Sequence, residues 1–301
     1  MHTEASQTVS LVLGSGGARG LAHIGVIRWL EENGYQIRSI AGSSMGALVG
    51  GVYAMDKLDE YESWVRAVRK LDIVSLLDVS WGSNGLFKGD KIIDTLVDMV
   101  GDQHIEDLPI RYTAVATNLH TEKEVWLQSG RLFNAIRASI SLPLFFTPYH
   151  YKGADLIDGG VLNPVPIAPT FGDHTDITIA VNLGGEPQPQ QAKSEQPEQD
   201  ESYVDMLQNK IRRFIADFQS ATPESSHHDL SAHEVASQAF DAMQSTIARQ
   251  KLAAYPPDEI VDIPRNACSL LDFDRAAEMI DLGYRRAAAC LPAPQTADRQ
   301  K

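Results

Sequence analysis

Gly42-Ser43-Ser44-Met45-Gly46 is the stretch that decides the fold, because it has the G-x-S-x-G pattern of a nucleophile elbow. A short apolar segment precedes it and a helix pattern rich in small residues follows it. The pattern therefore predicts a sharp strand-to-helix turn that presents Ser44, with glycine at both ends because a Cβ there would clash with the turn. Short glycine and serine clusters also form ordinary turns, so the catalytic interpretation depends on the neighbouring motifs.

A glycine-rich loop precedes the elbow. Residues 14–20 (GSGGARG) follow a strand-like run and precede a helix pattern. Unpaired N–H groups at a helix start attract anions, and glycines let a ligand approach the backbone, so the loop predicts a phosphate or oxyanion site. A P-loop would need a lysine near its end, and in a dinucleotide fingerprint a glycine would replace Arg19. These mismatches favour an oxyanion site. His23 lies close enough to hydrogen-bond the loop.

A carboxylate occurs downstream at the end of an apolar strand pattern, in residues 155–160 (DLIDGG). Asp-Gly is a common turn dipeptide, so a plain turn is the alternative interpretation. The combination with the serine elbow and the glycine loop favours a functional role. In an apolar setting the pKa of Asp158 can rise toward that of a useful general base.

These motifs give the chain a resemblance to the patatin-like phospholipases. Four elements match in order, and they are the loop 14–20, the elbow 42–46, the segment 138–143 (ASISLP) and Asp158-Gly159-Gly160. The chain looks like the branch of small bacterial RssA-like proteins, and it is similar to the catalytic domains of neuropathy target esterase-type lysophospholipases. The resemblance covers about residues 9–183.

The resemblance implies a three-layer α/β hydrolase with a Ser–Asp dyad and no catalytic histidine, acting on acyl esters of lipids. It implies Ser44 as the nucleophile and Asp158 as the base. The residues it implies as oxyanion donors are Gly16, Gly17 and Ala18. The residues it implies as support of the motifs are Gly14, Arg19, Gly20, Gly42, Gly46, Gly159 and Gly160. Neither a cofactor nor a metal is expected.

Two alternatives stay open at this point. His227, His228 and His233 follow Asp158, so the order serine, aspartate, histidine also matches an α/β-hydrolase triad. Against the triad, residues 224–233 are polar and follow no strand pattern that would fix a histidine. The second alternative is a catalytically silent interaction or regulatory protein that keeps the same fold.

Composition limits the kind of partner. The net charge of −14 argues against nucleic acid and against electrostatic docking on anionic membranes. We expect a lipid or lysophospholipid substrate, which the protein contacts through apolar groups. The sequence leaves open whether the protein transiently contacts a membrane surface and whether it forms oligomers. No apolar run reaches the roughly 18 residues of a membrane span, and no signal peptide is evident, so a cytoplasmic location is expected. Cys268 and Cys290 lack zinc-ligand spacing.

Short apolar runs alternate with helix patterns over residues 8–183, which predicts an α/β fold with a central, mostly parallel sheet flanked by helices. The predicted strands are 9–13, 39–41, 112–118, 124–127, 156–157, 177–183 and an edge strand in 255–264. The predicted helices are 21–32, 45–54, 58–70, 89–100, 131–139 and 272–289.

The sequence also predicts a division of the chain into three parts. Residues 1–185 form the catalytic core, 186–202 a flexible linker or insertion, and 203–301 a helical C-terminal part that completes the same domain. The linker lacks large apolar side chains, so it cannot bury enough surface to be ordered. Residues 203–218 have a helical apolar stripe, which fits a helix packed on its own domain or on a second subunit better than a lid.

Overall fold

The computed structural model describes residues 7–68, 87–188 and 232–292. The strands of this described part are β1 (Thr8–Leu13), β2 (Gln36–Ser43), β3 (Arg111–Asn118), β4 (Lys123–Leu127), β5 (Tyr149–Tyr151), β6 (Ala154–Asp158), β7 (Ile177–Gly185) and β8 (Glu259–Pro264). Its α-helices are α1 (Ala22–Glu32), α2 (Met45–Ala54), α3 (Leu58–Ala67), α4 (Asp90–Val100), α5 (Leu132–Ser139), α6 (Ala232–Ala254) and α7 (Ala276–Cys290).

One mixed sheet organises these elements. Its order is β5-β6-β3-β2-β1-β7-β8, with β4 paired to β3 off this path. The five neighbouring strands β3, β2, β1, β7 and β8 run parallel to one another. Strands β4 and β6 run antiparallel to β3, and β5 runs antiparallel to β6. The central β1 is buried from Val9 to Leu13, as expected for a parallel strand covered on both faces.

Helices cover both faces of the sheet, which makes three layers. Leu11 and Leu13 of β1 belong to the large core cluster that also contains residues of α1, α2, α5 and α7. Val12 and Ala180 point to the other face, because successive strand residues alternate, and there they pack with Ala248 of α6 in a separate cluster. The expected three-layer architecture is confirmed.

Helices α1 and α7 cross at two glycines. A Cβ on Gly25 of α1 would lie 1.9 Å from the carbonyl oxygen of Ile280, and a Cβ on Gly283 of α7 would lie 1.9 Å from that of Ala22. Backbone therefore meets backbone at this crossing. The C-terminal α7 is held directly against the helix that follows the glycine-rich loop.

The predicted elements appear with shifted ends. Strand β2 begins at Gln36 rather than at residue 39, and α3 ends at Ala67 rather than at 70. Strand β8 begins only at Glu259, because α6 continues to Ala254 and two prolines follow it. The sequence missed β5, whose three residues are too few for a periodicity.

The predicted division of the chain stays a prediction. Of the described residues, 7–68, 87–188 and 241–292 belong to one compact unit, and 232–240 belong to a second one. The predicted helix 203–218 lies outside the described residues, as does all of the predicted linker after residue 188. Within the described ranges, no helix is both long enough and apolar enough to span a membrane.

Candidate active site

Ser44 lies at the tip of a strained turn between β2 and α2. Its φ of 55° and ψ of −123° put a non-glycine residue in a sparsely populated region, as a nucleophile elbow requires. A Cβ on Gly42 would lie 2.4 Å from the carbonyl oxygen of Gly46, and a Cβ on Gly46 would lie 2.0 Å from that of Leu13. Both glycines of the pentapeptide are thus needed for the close approach of α2 to β1 and β2.

The register of the sheet brings Asp158 to Ser44. Ser43, at the end of β2, pairs with Val115 of β3, and Asp158, at the end of β6, pairs with the next residue, Ala116. Strands β2 and β4 both pair with residues 114 and 115 of β3, so they lie on opposite edges of β3. Strand β4 also pairs with residues 116–118, so β6, which pairs with the same three residues, lies on the edge that β2 occupies. Strands β2 and β6 therefore meet end to end. Ser44 Oγ donates a hydrogen bond of 2.5 Å to Asp158 Oδ2.

The Asp158 carboxyl group is completely buried. Its second oxygen, Oδ1, accepts a 2.7 Å hydrogen bond from the backbone amide of Gly160. Burial raises the pKa of Asp158 to about 7, although the hydrogen bonds from Ser44 and Gly160 act to lower it. The carboxyl group is therefore suited to accept and return a proton near neutral pH.

The end of α5 and the residues directly after it hold both residues in place. Ser139 Oγ accepts a 2.9 Å hydrogen bond from the amide of Ser44 and donates one of 2.6 Å to the carbonyl oxygen of Val115. Two residues later, the carbonyl oxygen of Ser141 accepts a 2.9 Å bond from the amide of Asp158. The sequence identified residues 138–143 as a motif without giving them a catalytic role, and the structure shows that Ser139 and Ser141 form a brace between Ser44 and Asp158.

The glycine-rich loop packs against the elbow. A Cβ on Gly20 would lie 2.3 Å from Cβ of Met45, the first residue of α2. Gly17 has φ 57°, and a Cβ there would lie 2.5 Å from the carbonyl oxygen of Leu270. The amide of Gly14 donates to the carbonyl oxygen at Val181 of β7 over 3.0 Å. The loop is therefore fixed at its start, its middle and its end.

The backbone amides of the loop differ in their availability. The amide of Ala18 donates a 2.8 Å hydrogen bond to the carbonyl oxygen of Leu270, so it would have to share or lose that bond to reach an oxyanion. For the amides of Gly16 and Gly17 the described part of the chain offers no acceptor. These two adjacent N–H groups of the loop are therefore candidates to bind a ligand oxygen.

Comparison with known proteins is consistent with this geometry. The family model described as patatin-like phospholipase matches residues 11–171, which include the loop, the elbow, the brace and Asp158. The chain belongs to the patatin-like phospholipase family. An uncharacterized NTE family protein of Mycobacterium bovis is 38% identical over 334 residues, covering 96% of this chain and 92% of that protein.

Two further similar proteins match over a smaller share of their own length. Lysophospholipase NTE1 of Yarrowia lipolytica is 33% identical over 186 residues, which is 60% of this chain and 13% of that much longer protein. The crystal structure of VipD from Legionella pneumophila aligns with 96% of this chain and 69% of its own, at a TM-score of 0.42 and 14% identity.

In this patatin-like protein the loop arginine is deeply embedded. Arg19 is 4% exposed, and its guanidinium donates to the carbonyl oxygens of Gly16 and Arg265 over 3.1 and 2.9 Å. A third bond of 2.9 Å goes to the carboxylate of Asp241 on α6. Arg19 therefore ties the loop to two segments from the last quarter of the chain.

His23 hydrogen-bonds the start of the glycine-rich loop, as its position in the sequence suggested. Its Nε2 bonds the carbonyl oxygen of Gly14 at 2.8 Å, and the oxygen can only accept, so Nε2 carries the proton. Burial lowers the pKa of His23 to about 4, which the bond to Gly14 only partly offsets, so the ring is neutral. His23 is a structural support of the loop.

The side chains of the three rival histidines are outside the part of the chain that the structure describes. His227 and His228 lie outside the described residues, and for His233 only the backbone is described, as part of α6. Within the described ranges no histidine hydrogen-bonds Ser44 or Asp158. The same ranges contain no group of three or more His, Cys, Asp or Glu residues that could hold a metal ion.

Sequence reasoning missed the contribution of α6. Asp241 contacts Arg19, and Gln244, one helical turn later, contacts Ser15 of the loop. Residues three apart lie on one face of a helix, but polar residues on a helix face are ordinary in any sequence. No signal short of the folded contacts marks these two as neighbours of the site.

Proposed function

We propose that this protein is a serine lipid acyl hydrolase of the phospholipase A or lysophospholipase type, in which Ser44 is the nucleophile and Asp158 the general base. The observation that carries the proposal is the 2.5 Å hydrogen bond from Ser44 Oγ to a completely buried carboxyl group. Membership in the patatin-like phospholipase family supports lipid esters as the substrate class. The lysophospholipases among its relatives support the same class.

In the first step, Asp158 Oδ2 takes the proton of Ser44 as Oγ attacks the carbonyl carbon of the acyl ester. The carbonyl oxygen becomes an oxyanion, and the amides of Gly16 and Gly17 are the proposed donors that stabilise it. Each such donor contributes about 2.7–4 kcal/mol to transition-state stabilisation. The strained backbone of Ser44 holds Oγ at the tip of the turn, within 2.5 Å of the proposed base.

In the second step, the tetrahedral intermediate collapses and the bond to the leaving alcohol breaks. Protonated Asp158 gives its proton to the alcohol oxygen, and the acyl group remains as an ester on Ser44. A water molecule then gives a proton to Asp158 while its oxygen attacks the acyl carbon. Collapse releases the fatty acid, and the proton returns to Ser44 Oγ.

The environment of Asp158 supports this use of a carboxylate in place of a histidine. A base works best when its pKa lies near the working pH, because it must be ionised to accept the proton and acidic enough to return it. The pKa of about 7 that burial gives Asp158 meets this condition. The pKa of an exposed aspartate, near 4, would make it too weak a base.

A fluorophosphonate probe tests the proposal against the alternative of a catalytically silent regulatory protein, because the probe reacts only with an activated serine. We expect labelling of the peptide that contains Ser44, no labelling of Ser44→Ala, and normal labelling of the exposed control Ser129→Ala. Hydrolysis of mixed phospholipids and lysophospholipids should follow the same pattern. A native protein that neither labels nor hydrolyses any of these lipids would favour the silent alternative.

A further inference from the structure

We propose that Gln244 of α6 is a positioning residue that clamps the glycine-rich loop onto the turn carrying Asp158. Its Nε2 donates a 3.1 Å hydrogen bond to Oγ of Ser15, which directly precedes the proposed oxyanion donors. Both side chains are almost fully buried, with exposed fractions of 7% and 8%. Breaking this hydrogen bond would leave a buried donor and a buried acceptor without partners, which is costly.

The same amide group lies against the Asp158 turn. A Cβ on Gly160 would lie 2.3 Å from Gln244 Nε2 and 2.3 Å from Ser15 Oγ. Gly160 is the residue whose amide donates to the Asp158 carboxylate. The loop, the turn and α6 therefore meet at one point, and glycine at position 160 is what lets them approach.

Helix α6 is anchored on both sides of this point. Three residues before Gln244, Asp241 pairs with Arg19 over 2.9 Å. Seven residues after it, Lys251 pairs with Glu124 over 2.6 Å. Ala248 lies between, buried in the smaller core cluster. Spacings of 3, 4 and 3 residues place all four side chains on one helix face, so the position of Gln244 is fixed relative to the sheet.

The clamp matters for chemistry because its two sides carry different parts of the proposed site. The loop carries the amides of Gly16 and Gly17, and the turn carries the base. One backbone bond, from the Ser15 amide to the carbonyl oxygen of Pro164, already joins the two regions over 2.8 Å. Gln244 adds a side-chain hydrogen bond to the loop and packs against Gly160 of the turn, and it thereby holds the donors in place relative to the base. Misplacement by about 1 Å is enough to reduce catalysis strongly.

This inference rests on the proposed function, and it is tested with Gln244→Met, which keeps the volume of the side chain and removes the donor. Gln250→Met is the matched control, because Gln250 is exposed on the same helix. We expect kcat to fall about tenfold in Gln244→Met, the value of one hydrogen bond, with KM changed less than twofold. Hydrogen exchange should become faster in residues 14–20 and 158–163. The control should match the native protein in all three.

Ser15→Ala removes the same bond from the other side and replaces Gln244→Met if that variant does not fold. The two changes together should cost about as much as either alone, because both remove one interaction. Native kcat in a folded Gln244→Met protein, losses that multiply, or unchanged exchange in both segments would overturn the clamp. If the native protein hydrolyses no ester, the proposed function fails, whereas the exchange measurement still decides whether the clamp exists.

Discussion

A completely buried carboxylate is costly to ionise, and Asp158 has two hydrogen-bond donors to offset that cost, Ser44 Oγ and the Gly160 amide. The sequence could identify both members of the pair, because a nucleophile elbow and an Asp-Gly-Gly turn are local motifs. It could not give the 2.5 Å contact between residues 114 positions apart, which results from the register of three strands. Nor could it show that Ala18 has an acceptor while Gly16 and Gly17 have none among the residues that the structure describes.

The pH dependence of the reaction should follow the ionisation of Asp158. The raised pKa of about 7 means that lowering the pH through 7 protonates the carboxylate and removes the base. We expect kcat/KM to fall about tenfold per pH unit below that point and to level off above it. Rates measured from pH 5 to pH 9 with one soluble ester check this expectation. A rate that stays constant down to pH 5 would mean that the base is an ordinary exposed carboxylate, whose pKa lies near 4.

At the scale of elements, the sequence predicted most strands and helices correctly because their apolar periodicity is local. It could not predict which elements touch. The brace formed by Ser139 and Ser141 and the face of α6 that contacts the loop both depend on long-range packing. The short β5 escaped detection for a different reason, since three residues cannot show a period of two.

The crossing of α1 and α7 gives a stability prediction at this scale. Gly283→Ala puts a Cβ 1.9 Å from the backbone oxygen of Ala22, so the helices must separate. We expect a loss of about 1–3 kcal/mol in the free energy of unfolding, the usual cost of overpacking. Chemical denaturation measures it. Gly172→Ala is the matched control, because nothing lies within 4 Å of that position. Equal stabilities of the two variants would contradict the close crossing.

At the scale of the whole molecule, the patatin-like fold brings parts of the chain from residue 13 to residue 270 to one site. The glycine-rich loop follows β1, Ser44 follows β2, and the proposed base Asp158 ends β6, so three strand ends supply the proposed chemistry. The family resemblance predicted these parts because each is a compact motif. The support from α6 had to come from the structure, since it depends on a helix that lies beyond the family match.

The net charge of −14 bears on how such a molecule would meet its substrate. A strongly acidic surface is repelled by anionic lipid surfaces, and salt screens that repulsion. Contact with lipid must then come from apolar groups and from capture of dispersed substrate.

The choice between dyad and triad is independent of this question and depends only on which residue accepts the proton of Ser44.

The most direct test of the central claim is kcat for ester hydrolysis in Asp158→Asn beside the combined His227→Ala, His228→Ala, His233→Ala variant. An amide cannot accept the serine proton, so Asp158→Asn should lose about 10²–10⁴-fold in kcat. It should stay folded, because the change removes a buried charge. The histidine variant should stay within a few-fold of the native protein. Native kcat in Asp158→Asn, or a loss of about a thousandfold in a folded histidine variant, would contradict the Ser44–Asp158 dyad.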